Sequence, residues 1–374
     1  MIYLDYSATT PVDVEVLNTF NKVSLDFIGN PNSLHKLGIK SKNLIDQATE
    51  QIAELLKVNS NEIIYTSGSS ESNNLAIKGI CLKYKNRGKH IITTRFEHSS
   101  IYGPINYLLN EGYDVDFVET NEFGIVDLNH LKALIKDETI LISINSVNSE
   151  IGIIQPIEEI AEIVKSNSKC FLHVDMTQSI GKIDIDIKNI DLISFSAHKF
   201  YGLKGIGCLV KKDKVQLEPI IHGGKSTTIY RSGTPAVALI ASISKALRLA
   251  VSDINDKYKL VKDLNIYLKD NLLKYNDVYI NSNEHCVPHI LNISLVGVKP
   301  ESLLRDLENY HIYVSTQTAC SNTNSVSKAV YALTKDNKRA ESSIRISLSH
   351  LTTKEEIDTF LAAFDKCYNH LKSK

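Results

Sequence analysis

The sequence predicts an α/β protein, with a large domain on a mostly parallel seven-stranded sheet and a smaller α+β domain toward the C-terminus. Three observations lead there. Apolar runs of strand length alternate with segments whose apolar residues recur at helical spacing, the pattern of a covered parallel sheet. From about Lys257 onward that alternation gives way to shorter strands mixed with helices. At 374 residues the chain also exceeds what one hydrophobic core ordinarily serves, so it is expected to divide.

In chain order, the expected strands of the large sheet are Glu62-Ile-Ile-Tyr65, His90-Ile-Ile-Thr93, Tyr113 to Val118, Ile140 to Ile144, Phe171 to Val174, Leu192 to Phe195 and Gly207 to Val210. Between them, Leu44 to Leu56 and Ile157 to Val164 carry apolar residues at the 3.6-residue period of a sheet-covering helix. Beyond Lys257 come a helical stretch, strands at Tyr279-Ile280, Leu291 to Leu295, Ile312 to Val314 and Ile344 to Ser347, and a helix near Glu301 to Leu307. The large domain is placed at residues 16–256. Residues 1–15 with 257–374 form the small one, which carries Cys320 and Arg345.

Composition removes several function classes. The formal net charge is −1 with both signs interspersed, which offers nucleic acid or an anionic membrane no electrostatic footprint. The six cysteines, Cys81, Cys170, Cys208, Cys286, Cys320 and Cys367, form no CxxC pair, so neither a disulfide framework nor a zinc site is expected, and a reducing cytoplasm fits. The opening Met1-Ile-Tyr-Leu-Asp lacks the basic and apolar regions of a leader, and no apolar stretch has membrane-spanning length. A soluble, unprocessed protein is the expectation. Gly202-Leu-Lys-Gly-Ile-Gly207 is no P-loop, because GxxxxGK[ST] is absent and the glycines precede a strand.

The most informative segment is Ser194-Phe-Ser-Ala-His-Lys199, followed by Gly202, Gly205 and Gly207. It puts a lysine where an apolar run ends, and strand ends in α/β folds open into the ligand crevice. Some twenty residues upstream, Phe171-Leu-His-Val-Asp175 ends on an acid, so an aspartate and a lysine terminate two expected neighbouring strands. Pyridoxal phosphate needs such a pair, a lysine for the covalent link and an acid for its pyridine nitrogen; an ordinary ion pair is the other reading. Ser67-Gly-Ser-Ser70 follows one strand and opens a helix, where free backbone N–H groups meet a phosphate or merely a serine cap.

With these motifs stand Tyr3-Leu-Asp-Tyr-Ser-Ala-Thr-Thr-Pro11, Gly29-Asn-Pro-Asn-Ser33, Thr66 to Asn74, Glu97-His98, His173-Val-Asp-Met-Thr-Gln178, Arg231-Ser-Gly-Thr234, Ala319-Cys-Ser321 and Ser342-Ser-Ile-Arg-Ile-Ser347. Nearly end to end, the chain resembles the class V aminotransferase-like pyridoxal-phosphate enzymes, and among them the NifS/IscS-type cysteine desulfurases. The resemblance implies the fold type I architecture of that cofactor family.

It also implies the site. Lys199 would hold the cofactor, Asp175 pair with its pyridine nitrogen, Gln178 bond its phenolic oxygen and His98 stack on the ring as an acid/base. Ser69, Ser70, Ser196 and His198 would hold the phosphate, joined by Thr234 from the second subunit of a homodimer. Ser149 would touch cofactor and substrate, Arg345 clamp the substrate carboxylate, and Cys320 take sulfur from L-cysteine as a persulfide, releasing L-alanine. No metal is implied. The sulfur would pass to an acceptor protein in tRNA thiolation, iron–sulfur or thiamine pathways, without direct contact to nucleic acid.

The chain departs from the family pattern in three places. Ser149 replaces an asparagine, Gln317 replaces a hinge-like glycine before Cys320, and the chain stops soon after Thr352 to Ile357, which favours an acceptor other than the iron–sulfur scaffold. Cys170 and Cys208, in apolar runs, are expected to be buried and inert. A selenocysteine lyase or another class V aminotransferase, with Cys320 incidental, is the nearest alternative; a non-catalytic sulfur-relay or scaffold protein is the second.

Overall fold

The computed structural model describes residues 1–167, 169–224, 226–316 and 326–372. The chain begins with β1 (Ile2–Tyr3), α1 (Val14–Asp26) and α2 (Lys36–Leu56), then alternates through β2 (Ile63–Thr66), α3 (Ser69–Lys83), β3 (His90–Thr93), α4 (Ser99–Asn110), β4 (Asp114–Phe117), α5 (Leu128–Leu134), β5 (Thr139–Asn145) and α6 (Ile157–Lys165). Three strands follow, β6 (Phe171–Asp175), β7 (Leu192–Ser196) and β8 (Gly207–Lys211), and then the long helices α7 (Val237–Val251) and α8 (Ile254–Leu272). The C-terminal part contains β9 (Val278–Ile280), β10 (Ile290–Leu295), α9 (Pro300–Glu308), β11 (Ile312–Tyr313), α10 (Lys328–Thr334), α11 (Asn337–Glu341), β12 (Ser343–Ser347) and α12 (Lys354–Lys372).

The central sheet has seven strands in the order β2-β8-β7-β6-β5-β3-β4. Neighbours are parallel except β8, which runs antiparallel to both β2 and β7. All seven strands lie at the apolar runs of the sequence, and the reason is burial. Residues of β3, β5, β6, β7 and β8 are buried along their whole length, so these strands read as continuous apolar runs rather than alternating ones. At the edge, β4 is partly exposed and bears Asp114 and Asp116, charges that discourage pairing with another chain.

Alternate residues feed two cores. Ile63, Tyr65, Ile142, Ile144, Leu172 and Val174 pack with residues of α2, α6 and α7, while Ile64, Ile140 and Phe171 pack with residues of α3 and α4. Each fully buried aliphatic or aromatic side chain contributes roughly 1.5–3 kcal/mol. A further cluster joins Ile2 and Leu4 to α8, β10, α9, β12 and α12, from Val261 to Cys367. There β10 pairs antiparallel with β12 and β9, and β1 pairs parallel with β11.

Candidate active site

The parallel strands β5, β6 and β7 end side by side, with Asn145 opposite Asp175 and Asp175 opposite Ser194. Asp175 is thus the last residue of β6. Lys199 does not end β7 itself: the strand stops at Ser196, and Ala197–Lys199 form one turn of 3-10 helix. Beyond these ends lies a cavity of about 330 Å³ lined by Ser69, Ser70, His98, Ser149, Asp175, Gln178, Ser196, His198, Lys199 and Arg345 among others. One cavity therefore gathers residues from the length of the chain, as strand ends in an α/β sheet do.

One end of the cavity is built to receive an anion. Gly68, at φ 156°, is the N-cap of α3, so the helix starts at Ser69, within the Ser67-Gly-Ser-Ser70 loop expected to open it. Its first N–H groups carry the positive end of the helix dipole. Ser196 Oγ accepts from Ser69 N at 2.6 Å and donates to Ser69 Oγ at 3.1 Å. A side chain at Gly207 would put its Cβ 2.7 Å from Gly68 Cα, so β8 reaches this close to the loop only with glycine. Burial, with Lys199 and Lys204 adding to it, lowers the His198 pKa to about 4, leaving a neutral ring at pH 7.

The opposite end is acidic. Asp175, 7% exposed, accepts from Thr177 N through Oδ1 at 3.0 Å and from Asn73 Nδ2 through Oδ2 at 2.8 Å. Asn73 Nδ2 also donates to Ser100 Oγ at 2.9 Å, and that hydroxyl lies 2.8 Å from His98 Nδ1. His98 is the N-cap of α4, its Nδ1 accepting from Ser100 N. In the neutral ring the proton therefore sits on Nε2. Burial lowers the His98 pKa, with Asp175 opposing and Lys199 and Arg345 assisting.

Between the two ends, Lys199 Nζ donates to the carbonyls of Ser7 and Ala8 at 2.6 and 2.8 Å. Gln178 Nε2 donates to the same Ser7 carbonyl at 3.0 Å, and its Oε1 accepts from Lys182 Nζ at 2.7 Å. Arg345 is 1% exposed; its terminal nitrogens donate to Asp5 Oδ1 and to the Ser149 carbonyl, both at 2.9 Å, while Nε has no partner. Thr177 Oγ1 is likewise buried without a partner.

Thr234 is not among the residues around this cavity. It lines a separate groove with Phe20, Val23, Phe27, Ile28 and Val237. Cys320 and Gln317 lie outside the described residues. Cys170 and Cys208 are buried, and burial pushes both thiols up, Cys170 to about 12. Among the described residues no cluster could hold a metal ion. Sequence reasoning missed Asn73, Ser100, Asp5, Lys182 and the carbonyls of Ser7 and Ala8. Asn73 and the Tyr3–Pro11 segment stand in the quoted motifs, but nothing local to them tells which distant group they meet.

The profile of the class-V aminotransferase family matches residues 2–360. The chain is 44% identical over 381 aligned residues to the "Cysteine desulfurase IscS" of Buchnera aphidicola subsp. Baizongia pistaciae (strain Bp), covering 100% of this chain and 94% of that protein. A solved structure described as a NifS-like protein superposes with a TM-score of 0.93 at 34% identity and covers 100% of both chains. Another, described as SspA in complex with cysteine, gives 0.83 at 30% identity, with 94% of this chain and 100% of that one covered.

Proposed function

The chain belongs to the class-V aminotransferase family, and from that premise we infer that it is a cysteine desulfurase, converting L-cysteine to L-alanine and passing the sulfur through Cys320 to an acceptor. The observation that carries the reading is the meeting of Lys199, Asp175, His98, Gln178 and Arg345 around one cavity, in a chain that aligns over its full length with a cysteine desulfurase. The donor set fits pyridoxal phosphate: a helix N-terminus with hydroxyls at one end, a buried carboxylate at the other, a lysine between, and a buried Thr177 hydroxyl without a protein partner. When bound, that cofactor supplies an electron sink for negative charge at the substrate Cα.

The residues take the following parts. Ser69, Ser70, Ser196 and His198 would hold the phosphate, and Asp175, kept in place by Asn73, would pair with the pyridine nitrogen. Lys199 would carry the cofactor and move the Cα proton. His98 would stack on the ring, with its Nε2 proton available. Arg345 and Ser149 receive the substrate carboxylate, a task suited to the planar guanidinium fork. Cys320, as thiolate, attacks the substrate sulfur. The C–S bond breaks, its electron pair stays on the carbon that takes a proton and becomes the alanine methyl, and the sulfur stays on Cys320 as a persulfide. A protein acceptor in tRNA thiolation, iron–sulfur or thiamine chemistry then takes it.

We propose further that the enzyme is a homodimer in which Thr234 serves the neighbouring site. Its place on a groove away from the cavity supports this, as do the exposed apolar side chains Val14, Leu17, Leu25, Ile28, Leu34 and Leu37 of the segments around that groove. The separate apolar cluster that joins Ile2 and Leu4 to residues after Val261 supports a division at residues 1–15 with 257–374 against 16–256. Cytoplasmic residence fits the five free cysteines among the described residues and the absence there of any helix long and apolar enough to cross a membrane.

The test is to incubate purified protein with pyridoxal phosphate, a reductant and L-cysteine, following alanine and sulfide together in wild type and Cys320→Ala. Equal yields, lost in the variant, are expected. No sulfide, or sulfide indifferent to the variant, overturns the reading in favour of a lyase or aminotransferase.

A further inference from the structure

We propose that Lys182, to which no role has been given so far, is a positioning residue that fixes the orientation of the Gln178 amide and keeps the cofactor oxygen beside it anionic. The proposal rests on the reading of the cavity as a pyridoxal-phosphate site.

Lys182 is 9% exposed. It follows Gln178 by four residues across a turn in which Lys182 N donates to Ser179 O at 2.9 Å. Gly181, at φ 72°, adopts a left-handed conformation there, and a Cβ on it would meet Ala250 Cβ at 2.7 Å, so the turn that aims Lys182 inward is built around glycine. The ammonium donates to Gln178 Oε1 at 2.7 Å. It forms no ion pair with any described carboxylate, and the charged groups felt there are cationic: burial first, then Lys199 and Arg345, lowers its pKa to about 7. Burying a cation without a counter-ion is costly, which makes a lysine here an unlikely filler for a void.

Its geometry gives it a task. A carboxamide presents an oxygen on one side and an NH2 group on the other, and which side faces which neighbour is decided by the neighbours. The ammonium form, about half of the population at pH 7 and dominant below it, only donates, so the side facing Nζ must be Oε1. The Ser7 carbonyl only accepts, so the side facing it must be Nε2. Both constraints select one orientation, in which the second Nε2 hydrogen remains for a ligand oxygen in the cavity. A cation on Oε1 also polarises the amide and makes that N–H a stronger donor. Donation to an oxygen favours its anionic form and lowers its proton affinity. Lys182 thus acts one side chain removed from the ligand, from the opposite side of the Ser7 carbonyl that Lys199 also uses.

The experiment uses Lys182→Met, with folding of the cofactor-free protein checked by circular dichroism and thermal unfolding. Each protein is titrated with pyridoxal phosphate, and two quantities are read: the dissociation constant, and the pH midpoint of the bound cofactor's visible absorption change. In the variant the midpoint is expected to rise by about one pH unit, and affinity to fall by about tenfold. Lys182→Arg, which keeps a donor, is expected to recover most of the shift. In a Gln178→Met background, removing Lys182 is expected to add nothing to the midpoint. Should the methionine variant not fold, Lys182→Gln, polar and uncharged, carries the same expectation. A folded variant with an unchanged midpoint, or full additivity in the double variant, overturns the proposal while leaving the desulfurase reading intact. A wild type that gives no Lys199-dependent absorption overturns that reading and this one with it.

Discussion

The side-chain amide of Asn73 donates to Asp175 across 102 residues of sequence, at 2.8 Å from Nδ2 to Oδ2. Because the same nitrogen donates to Ser100, the carboxylate at the end of β6 and the imidazole at the start of α4 are held by one side chain. The hydrogen bonds from Asn73 Nδ2 and Thr177 N hold that carboxylate in one orientation.

Replacing Asn73 with Asp sets a second carboxylate against Asp175. Like charges in such contact cannot both ionise readily, so the pair is expected to retain a proton and the carboxylate at the end of β6 to become a weaker partner for a cationic ligand group. Cofactor affinity, measured by fluorescence titration, is expected to fall by at least about tenfold, equivalent to roughly 1.4 kcal/mol. Asn73→Ala, which only deletes the donors, is expected to cost less.

Arg345→Lys keeps the charge and removes the fork. A lysine cannot serve Asp5 and the Ser149 carbonyl in the two-nitrogen arrangement observed while also meeting a carboxylate side-on. Charge-assisted hydrogen bonds are worth about 1.5–3 kcal/mol each, so KM for L-cysteine is expected to rise by about ten- to a hundredfold, with a smaller fall in kcat. Steady-state alanine release measures both.

Glu97 gives a pH-dependent stability prediction. Its Oε1 accepts from Thr94 Oγ1 and Asn145 N, Oε2 has no partner, and burial raises its pKa from 4.5 to about 8. Folding therefore favours the protonated acid. That contribution is complete below about pH 4.5 and is lost as pH rises through about 8, because the unfolded chain releases the proton first. Glu97→Gln stays neutral throughout. Its Tm relative to wild type is expected to be higher at pH 9 than at pH 5, by an amount that thermal unfolding at the two pH values reads directly.

The strands were legible because burial on both faces turns each into an unbroken apolar run, as in Ile140 to Ile144. The site was legible where chemistry sits at the end of such a run, as with Asp175, and elsewhere through resemblance to a family whose motifs survive here. What escaped was spatial. That Asn73 meets Asp175, and that Lys182 meets Gln178, depends on where α3 and the turn at Gly181 settle on the sheet, and no local pattern encodes that. Where within Ser67–Ser70 the helix α3 starts was open, because serine disfavours helix interiors yet suits a first turn. The turn Ala197–Lys199 was hidden because three residues are too few to show a period.

The segment from Ile2 to Ala8 ties β11 and β12 to Lys199. Ile2 and Tyr3 pair with Ile312 and Tyr313, Asp5 bridges to Ser347, and Ser7 and Ala8 hold Lys199. During synthesis Ile2 and Tyr3 must therefore wait for Ile312 and Tyr313 before they can pair. Until β11 and β12 have been made, Lys199 lacks the strap that orients it, so this side of the cavity is completed only after Ser347 has been joined to the chain.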